Sequence, residues 1–208
     1  QLIVTKYSRM EVLWEEQAST LLGDLTSCTD MVACAEDLGS NPESLPRVLN
    51  DLSILSLRVV RWSRNWNAPG EPYYQFGEYP YLSVTTSSVH DSSTARLWWL
   101  KEGDAWDFYR TFPGDSDVQP GSYNSKTARY LLSKMAESNS AFCIHPLQDF
   151  LGLVEDYFDE NPDNERVNIP GSVNEFNWTY RLPVTIEKLI KNKELISEIN
   201  NIVKIHER

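Results

Sequence analysis

The chain of 208 residues has few basic side chains for its length: 19 Lys and Arg stand against 30 Asp and Glu, a formal net charge of −11. That balance excludes general binding to a phosphate backbone, so no nucleic-acid partner is expected. No run of 18 apolar residues occurs, so no membrane-spanning helix is expected either. The three cysteines, Cys28, Cys34 and Cys143, include no CxxC pair. They exclude a cysteine zinc site and a disulfide framework, and fit a reducing compartment. The start shows no charged-then-apolar signal peptide, and the chain opens on Gln1 instead of Met. Asn177-Trp178-Thr179 spells a glycosylation sequon, which matters only in a secreted protein. No internal repeat and no low-complexity tract is found. The stretch from Glu155 to Glu165 holds six carboxylates but lacks the glycine and spacing of a calcium-binding EF-hand loop, and reads as a solvated loop.

What is present is apolar and aromatic: 41% hydrophobic residues, with 7 Trp, 10 Tyr and 7 Phe, enough for a sizeable core. Tyr7, Met10, Trp14, Ala18, Leu21 and Leu25 recur at helical spacing and predict an amphipathic helix over Tyr7 to Thr29. Met31 to Ala35 reads as a strand buried on both faces. Asn41-Pro42-Glu43 opens a helix, with the proline near its first turn. Further strands are predicted at Ile54 to Val60, Leu82 to Thr86 and Ala141 to Ile144. Helices are predicted after Ser92-Ser93-Thr94, over Ser125 to Ser138, and as one closing helix from Val184 to His206. Four buried strands alternating with helices are the pattern of βα units and a parallel sheet.

Acids and histidines follow the strands: Glu36 and Asp37 the first, His90 and Asp91 the third, Gln148 and Asp149 the fourth. In parallel α/β folds the C-terminal strand ends carry the site. Two carboxylates there suit glycosidic chemistry, one as general acid/base and one stabilising an oxocarbenium-like charge. The competing reading of Glu36 is a carboxylate that caps a helix or forms an ion pair, and that of Asp91 is a cap on the next helix. Trp62, Trp66, Tyr73, Tyr74, Phe76, Tyr79 and Tyr81 cluster after the second strand, where rings suit either sugar faces or a small core under the loop.

These residues fall in blocks. Ala35-Glu36-Asp37-Leu38-Gly39, His90-Asp91-Ser92-Ser93-Thr94 with Trp98-Trp99, Leu147-Gln148-Asp149, Arg166-Val167-Asn168-Ile169-Pro170-Gly171 and Asn177-Trp178-Thr179-Tyr180-Arg181 occur in that order over nearly the whole chain. Together they resemble the 4-α-glucanotransferases of glycoside hydrolase family 77, and are similar in spelling to the disproportionating type of the plant cytosol and some bacteria. The resemblance implies a retaining transfer of α-1,4-linked glucosyl units between maltooligosaccharides or glucans, without metal or organic cofactor, in the cytoplasm. It assigns Glu36 as general acid/base, Asp91 as transition-state stabiliser, and His90, Asn177 and Trp178 as substrate-binding residues. In that family the nucleophilic Asp follows the fourth barrel strand, upstream of the acid/base. Here Glu11, Glu15, Glu16, Asp24 and Asp30 precede Glu36 on or beside a predicted helix, and none carries the family's Arg-x-Asp spelling.

The expectation is therefore an α/β chain forming the C-terminal half of a (β/α)8 barrel across residues 1–208, inactive alone. A half barrel is expected to self-associate through its sheet edges or to expose apolar surface. The other reading is a non-catalytic carbohydrate-binding or assembly module of the same fold.

Overall fold

The computed structural model describes residues 8–207. The first helix, α1 (Ser8–Ser27), leads to the short strand β1 (Cys34–Ala35) and to α2 (Leu45–Asp51), which has Pro46 in its first turn. Strand β2 (Leu55–Val59) follows, then a long loop, then β3 (Ser83–Thr86). Helices α3 (Ala95–Lys101), α4 (Ala105–Thr111) and α5 (Ser125–Ala136) precede β4 (Phe142–Cys143). The chain closes with α6 (Leu147–Leu151), α7 (Ile186–Lys191) and α8 (Lys193–Ile205). The four strands form one parallel sheet in the order β1-β2-β3-β4, as the alternation of strands and helices predicts.

By internal contacts the chain divides into two units: residues 8–58, 80–84 and 140–142, and residues 59–79, 85–139 and 143–207. In the first unit β1 pairs with β2 in the register Cys34 to Leu55 and Ala35 to Ser56. The Ser56 amide donates to Leu82 O at 3.1 Å, and the Ala141 amide to Tyr81 O at 2.8 Å. β1 departs from expectation. It is two residues long, and Met31 and Val32 ahead of it are 77% and 68% exposed, so the apolar run is not a strand buried on both faces. The physical reason is its place at the edge of the sheet, where among the described residues only β2 pairs with it.

α1 keeps only part of its expected face: Trp14 and Ala18 are half-buried. Glu11 accepts from Ser44 Oγ at 2.8 Å and Glu15 pairs with Arg47, so polar contacts to α2 choose the side that packs. Met10, Leu21 and Leu25 of the expected apolar stripe are exposed as a result, while Tyr7 lies outside the described residues.

The second unit holds the aromatic core. Phe108 and Met135 are fully buried, with Trp98, Trp99, Val60 and Leu131 packed in the same cluster. Thr94 caps α3 by accepting from the Leu97 amide at 3.3 Å, and Asn124 caps α5 by accepting from the Thr127 amide at 3.0 Å. A second cluster joins Leu132 of α5, Leu151 of α6, and Leu195 and Ile202 of α8. The expected single closing helix is two. Asn192 sits in extended conformation between α7 and α8 and accepts from the Leu195 amide at 3.0 Å, while its Nδ2 donates to Tyr157 Oη at 2.7 Å. A capping side chain tied elsewhere breaks a helix that the apolar period alone would continue. The acid-rich stretch is likewise more than a solvated loop: Glu165 pairs with Arg96, Asp163 with Lys101, and Glu155 accepts from the Ser125 amide.

Candidate functional site

In the first unit, the chain leaves β1 directly into Glu36 and Asp37. The two neighbours differ in what they are free to do. Asp37 accepts from the Leu57 amide at 2.7 Å and faces Arg58 at 3.5 Å, bracing the strand ends. Glu36 is exposed, and among the described residues nothing donates to its carboxylate. Gly39, at φ +90°, then takes the left-handed turn that a side chain would resist. Of the adjacent pair, Glu36 is thus the carboxylate open to an incoming group.

In the second unit, the loop of residues 87–94 carries His90 and Asp91 between β3 and α3. A tight turn lifts them: the Ser92 amide donates to Val89 O at 3.0 Å, and the Val89 amide to Ser92 Oγ at 3.0 Å. Asp91 does not cap α3, which Thr94 does; its Oδ1 accepts from Asn168 Nδ2 at 2.6 Å. His90 Nε2 lies 3.4 Å from Asp91 Oδ2, and the His90 ring faces that of Trp178 at 5.3 Å with a 38° tilt. His90, Asp91, Asn168 and Trp178 are therefore brought together, and His90 and Trp178 face solvent.

Asn177 has a different position. Its Oδ1 accepts from the Ile169 amide at 3.1 Å and its Nδ2 donates to Ser172 O at 3.1 Å, so its amide folds the loop that presents Trp178. Trp178 itself has φ +67°, a left-handed backbone that costs a bulky residue energy, and its amide is fixed to Val167 O at 2.8 Å. This gives an expected reversal of the ordinary glycine penalty. Trp178→Ala and Trp178→Gly lose the same ring, yet the glycine variant should be the more stable by about 1 kcal/mol, because only it relieves the positive φ. Denaturant unfolding of both variants checks this, and a more stable alanine variant would refute it.

The floor of the loop is a buried polar network. Arg61, 3% exposed, donates from Nη2 to Ser93 O at 2.8 Å and from Nη1 to Ser93 Oγ, pairs with Glu102 at 3.5 Å, and lies over the Trp98 ring. His145 follows β4, and its Nδ1 accepts from the Ser87 amide at 3.1 Å. The neutral ring then carries its proton on Nε2, which faces Cys143 Sγ at 3.2 Å. Burial pulls the His145 pKa down to about 4. With an unfolded value near 6.5, the unfolded chain takes up the proton first, so this contribution is complete above pH 6.5 and is lost as pH falls toward 4. The loss is at most about 3 kcal/mol. His145→Gln should flatten the fall of Tm between pH 7 and 4.5; parallel slopes in the two proteins would remove the assignment.

The aromatic loop divides between its two readings. Tyr73, Phe76 and Tyr79 are buried, whereas Trp62, Trp66, Tyr74 and Tyr81 are exposed. Arg64 stacks on Tyr73 at 3.8 Å from the ring centre, fixing the buried part. Elsewhere in the second unit, a groove of about 620 Å³ lined by Gln148, Arg181, Thr185 and Lys188, among others, includes neither His90 nor Asp91. Sequence reasoning missed Asn168 and Arg61 as partners of the loop. Asn168 stands in a quoted block but 77 positions from Asp91, and Arg61 reads as an ordinary strand-end cation.

Residues 2–186 match the family model for 4-alpha-glucanotransferase, glycoside hydrolase family 77. The chain is 33% identical over 201 residues to the 4-alpha-glucanotransferase DPE2 of Oryza sativa subsp. japonica, covering 95% of this chain and 20% of that protein. It is 33% identical over 182 residues to the 4-alpha-glucanotransferase of Chlamydia muridarum, covering 88% of this chain and 34% of that protein. Among solved structures it is similar to the amylomaltase of Streptococcus agalactiae in complex with acarbose, with a TM-score of 0.63 at 18% identity over 84% of this chain and 32% of the other. The amylomaltase of Corynebacterium glutamicum gives a TM-score of 0.60 at 19% identity, over 88% and 30%. The fold likeness and coverage are consistent with half of a barrel, and the chain spans between a fifth and about a third of the length of these relatives.

Proposed function

The chain belongs to the 4-alpha-glucanotransferase family, glycoside hydrolase family 77, and from that premise we propose that it supplies two of the carboxylates of a retaining glucan transfer. Glu36 acts as general acid/base: it protonates the glycosidic oxygen of an α-1,4-glucan, then takes the proton from the accepting sugar hydroxyl. Asp91 faces the oxocarbenium-like charge. His90 and Trp178 bind the donor sugar, one by hydrogen bonding and one by its apolar face. Asn177 serves the substrate through the loop it folds. The exposed rings Trp62, Trp66 and Tyr74 offer faces to further sugar units. The observation that carries the reading is Asp91, fixed by Asn168 beside a solvent-facing His90–Trp178 pair.

The nucleophilic aspartate belongs to a part of the barrel outside this chain, so the chain alone performs no turnover. Incubated with maltotriose, it should release no glucose and build no longer maltooligosaccharides; appreciable transfer by the purified chain would overturn this. The side of β1 that pairs with no strand among the described residues, and the exposed Met10, Leu21, Leu25, Met31 and Val32 of the first unit, support self-association of the isolated chain. A monodisperse monomer by sedimentation, with no dye-binding apolar surface, would count against it. Among the described residues no disulfide joins Cys28, Cys34 and Cys143, which suits a protein of the cytoplasm.

A further inference from the structure

The chemistry proposed for Asp91 requires a carboxylate placed to a fraction of an ångström, yet Asp91 sits mid-loop and takes one side-chain hydrogen bond, from Asn168, among the described residues. What fixes the loop lies beneath it. The loop leaves β3 at Ser87 and Ser88 and enters α3 at Ala95. All three meet one side chain, Asp149 of α6. Its Oδ2 accepts from Ser87 Oγ and from Ser88 Oγ, the latter at 2.9 Å, and its Oδ1 accepts from the Ala95 amide at 3.0 Å. Asp149 is 3% exposed. Burial raises its pKa, while the hydroxyl and amide donors and the nearby Arg61 charge oppose that rise.

We propose that Asp149 is a positioning residue for Asp91: its two carboxylate oxygens tie together the two ends of the loop that carries His90 and Asp91. A carboxylate suits the task because it accepts on both oxygens. An asparagine accepts on one side only and turns an N–H toward the donors on the other, so it can hold one end of the loop and not both. Buried donors left without an acceptor are costly, which makes the clamp stiff. Side chains that touch only one end, such as His145 on the Ser87 amide and Arg61 on Ser93, do not close the loop in this way.

The test uses the 208-residue chain and its three histidines, His90, His145 and His206, resolved by carbon-edited proton NMR. Trp178 lies 5.3 Å from His90, so its ring current displaces the His90 ring protons, and Trp178→Ala defines the undisplaced position. Asp149→Asn should move the His90 signals toward the Trp178→Ala position while His206 stays in place. A folded Asp149→Asn chain with wild-type His90 signals overturns the proposal. If in Asp149→Asn all three histidine signals collapse to the positions of the unfolded chain, Ser88→Ala is read instead, since it removes one tie and leaves the carboxylate. Partial loss of the His90 displacement then supports the clamp, and an unchanged spectrum overturns it. The proposal rests on the assigned role of Asp91 for its consequence but not for this readout. In an intact barrel, Asp149→Asn should lower kcat by about 10²-fold with KM little changed. Should Asp91→Asn leave transfer intact, the functional reading fails while the NMR result still decides the clamp.

Discussion

Replacing Glu36 by Gln in an intact barrel that contains this segment is expected to lower glucan transfer by about 10²- to 10⁴-fold, the usual contribution of a positioned general acid/base. The side chain keeps its size and loses only the proton it can give and take. Affinity for maltooligosaccharides should therefore stay close to normal, and the loss should fall on kcat and kcat/KM together. Asp37→Asn is the matched control one residue away. Its carboxylate already accepts the Leu57 amide and faces Arg58, so its loss should appear as about 1–3 kcal/mol of stability, with turnover per folded molecule nearly unchanged. Near-normal transfer in Glu36→Gln, or a collapse of turnover per folded molecule in Asp37→Asn, would reverse the assignment of the two neighbours. Measuring activity against the folded fraction keeps the two effects apart.

The two acids also show where sequence reasoning reaches its limit. Their place after a strand was legible, because the apolar run before them and Gly39 after them mark a strand end and a turn. Which of the two is engaged was not, since the Leu57 amide that claims Asp37 stands 20 positions away. The same division runs through the fold. β2, β3 and α5 follow their patterns because core packs against them, and burial writes the period that sequence reading looks for. β1 shows the same apolar letters without the burial, because an edge strand is set by its neighbours and not by its own composition. At Asn192 periodicity is overridden by a local signal: the apolar spacing runs across it, while capping chemistry ends one helix and starts another. The family blocks assign Trp178 to the substrate-binding residues, but neither its contact with His90 nor the left-handed backbone that holds its ring there is legible in them, since tryptophan has no preference for such a conformation.

Phe108→Ala is expected to destabilise the second unit by about 3–5 kcal/mol, among the largest costs of a single core truncation. Phe108 has no exposed surface, and its ring lies 5.6 Å from Tyr73, 5.4 Å from Trp98, 5.0 Å from Phe112 and 6.3 Å from Tyr130 by centroids. Those neighbours come from the aromatic loop, α3, the end of α4 and α5, so no one of them can move in without leaving another. Their own polar anchors resist the collapse. Trp98 Nε1 donates to Asp104 at 2.7 Å, Trp99 Nε1 to Gln119 O at 3.0 Å, and Tyr130 Oη to Phe112 O. A cavity that cannot close carries its full cost. For a unit of this size the loss corresponds to a fall in Tm of about 10 °C. Phe108→Leu fills much of the space and should lose less than half as much. A Tm within about 3 °C of the parent for Phe108→Ala would mean that the rings do relax into the gap. The result bears on the site through α3, which starts at the end of the His90–Asp91 loop. With Trp98 and Trp99 loosened, the first turn of α3 loses its backing, and the His90 ring-proton displacement should disappear in the same thermal transition as the near-ultraviolet signal of the aromatic core.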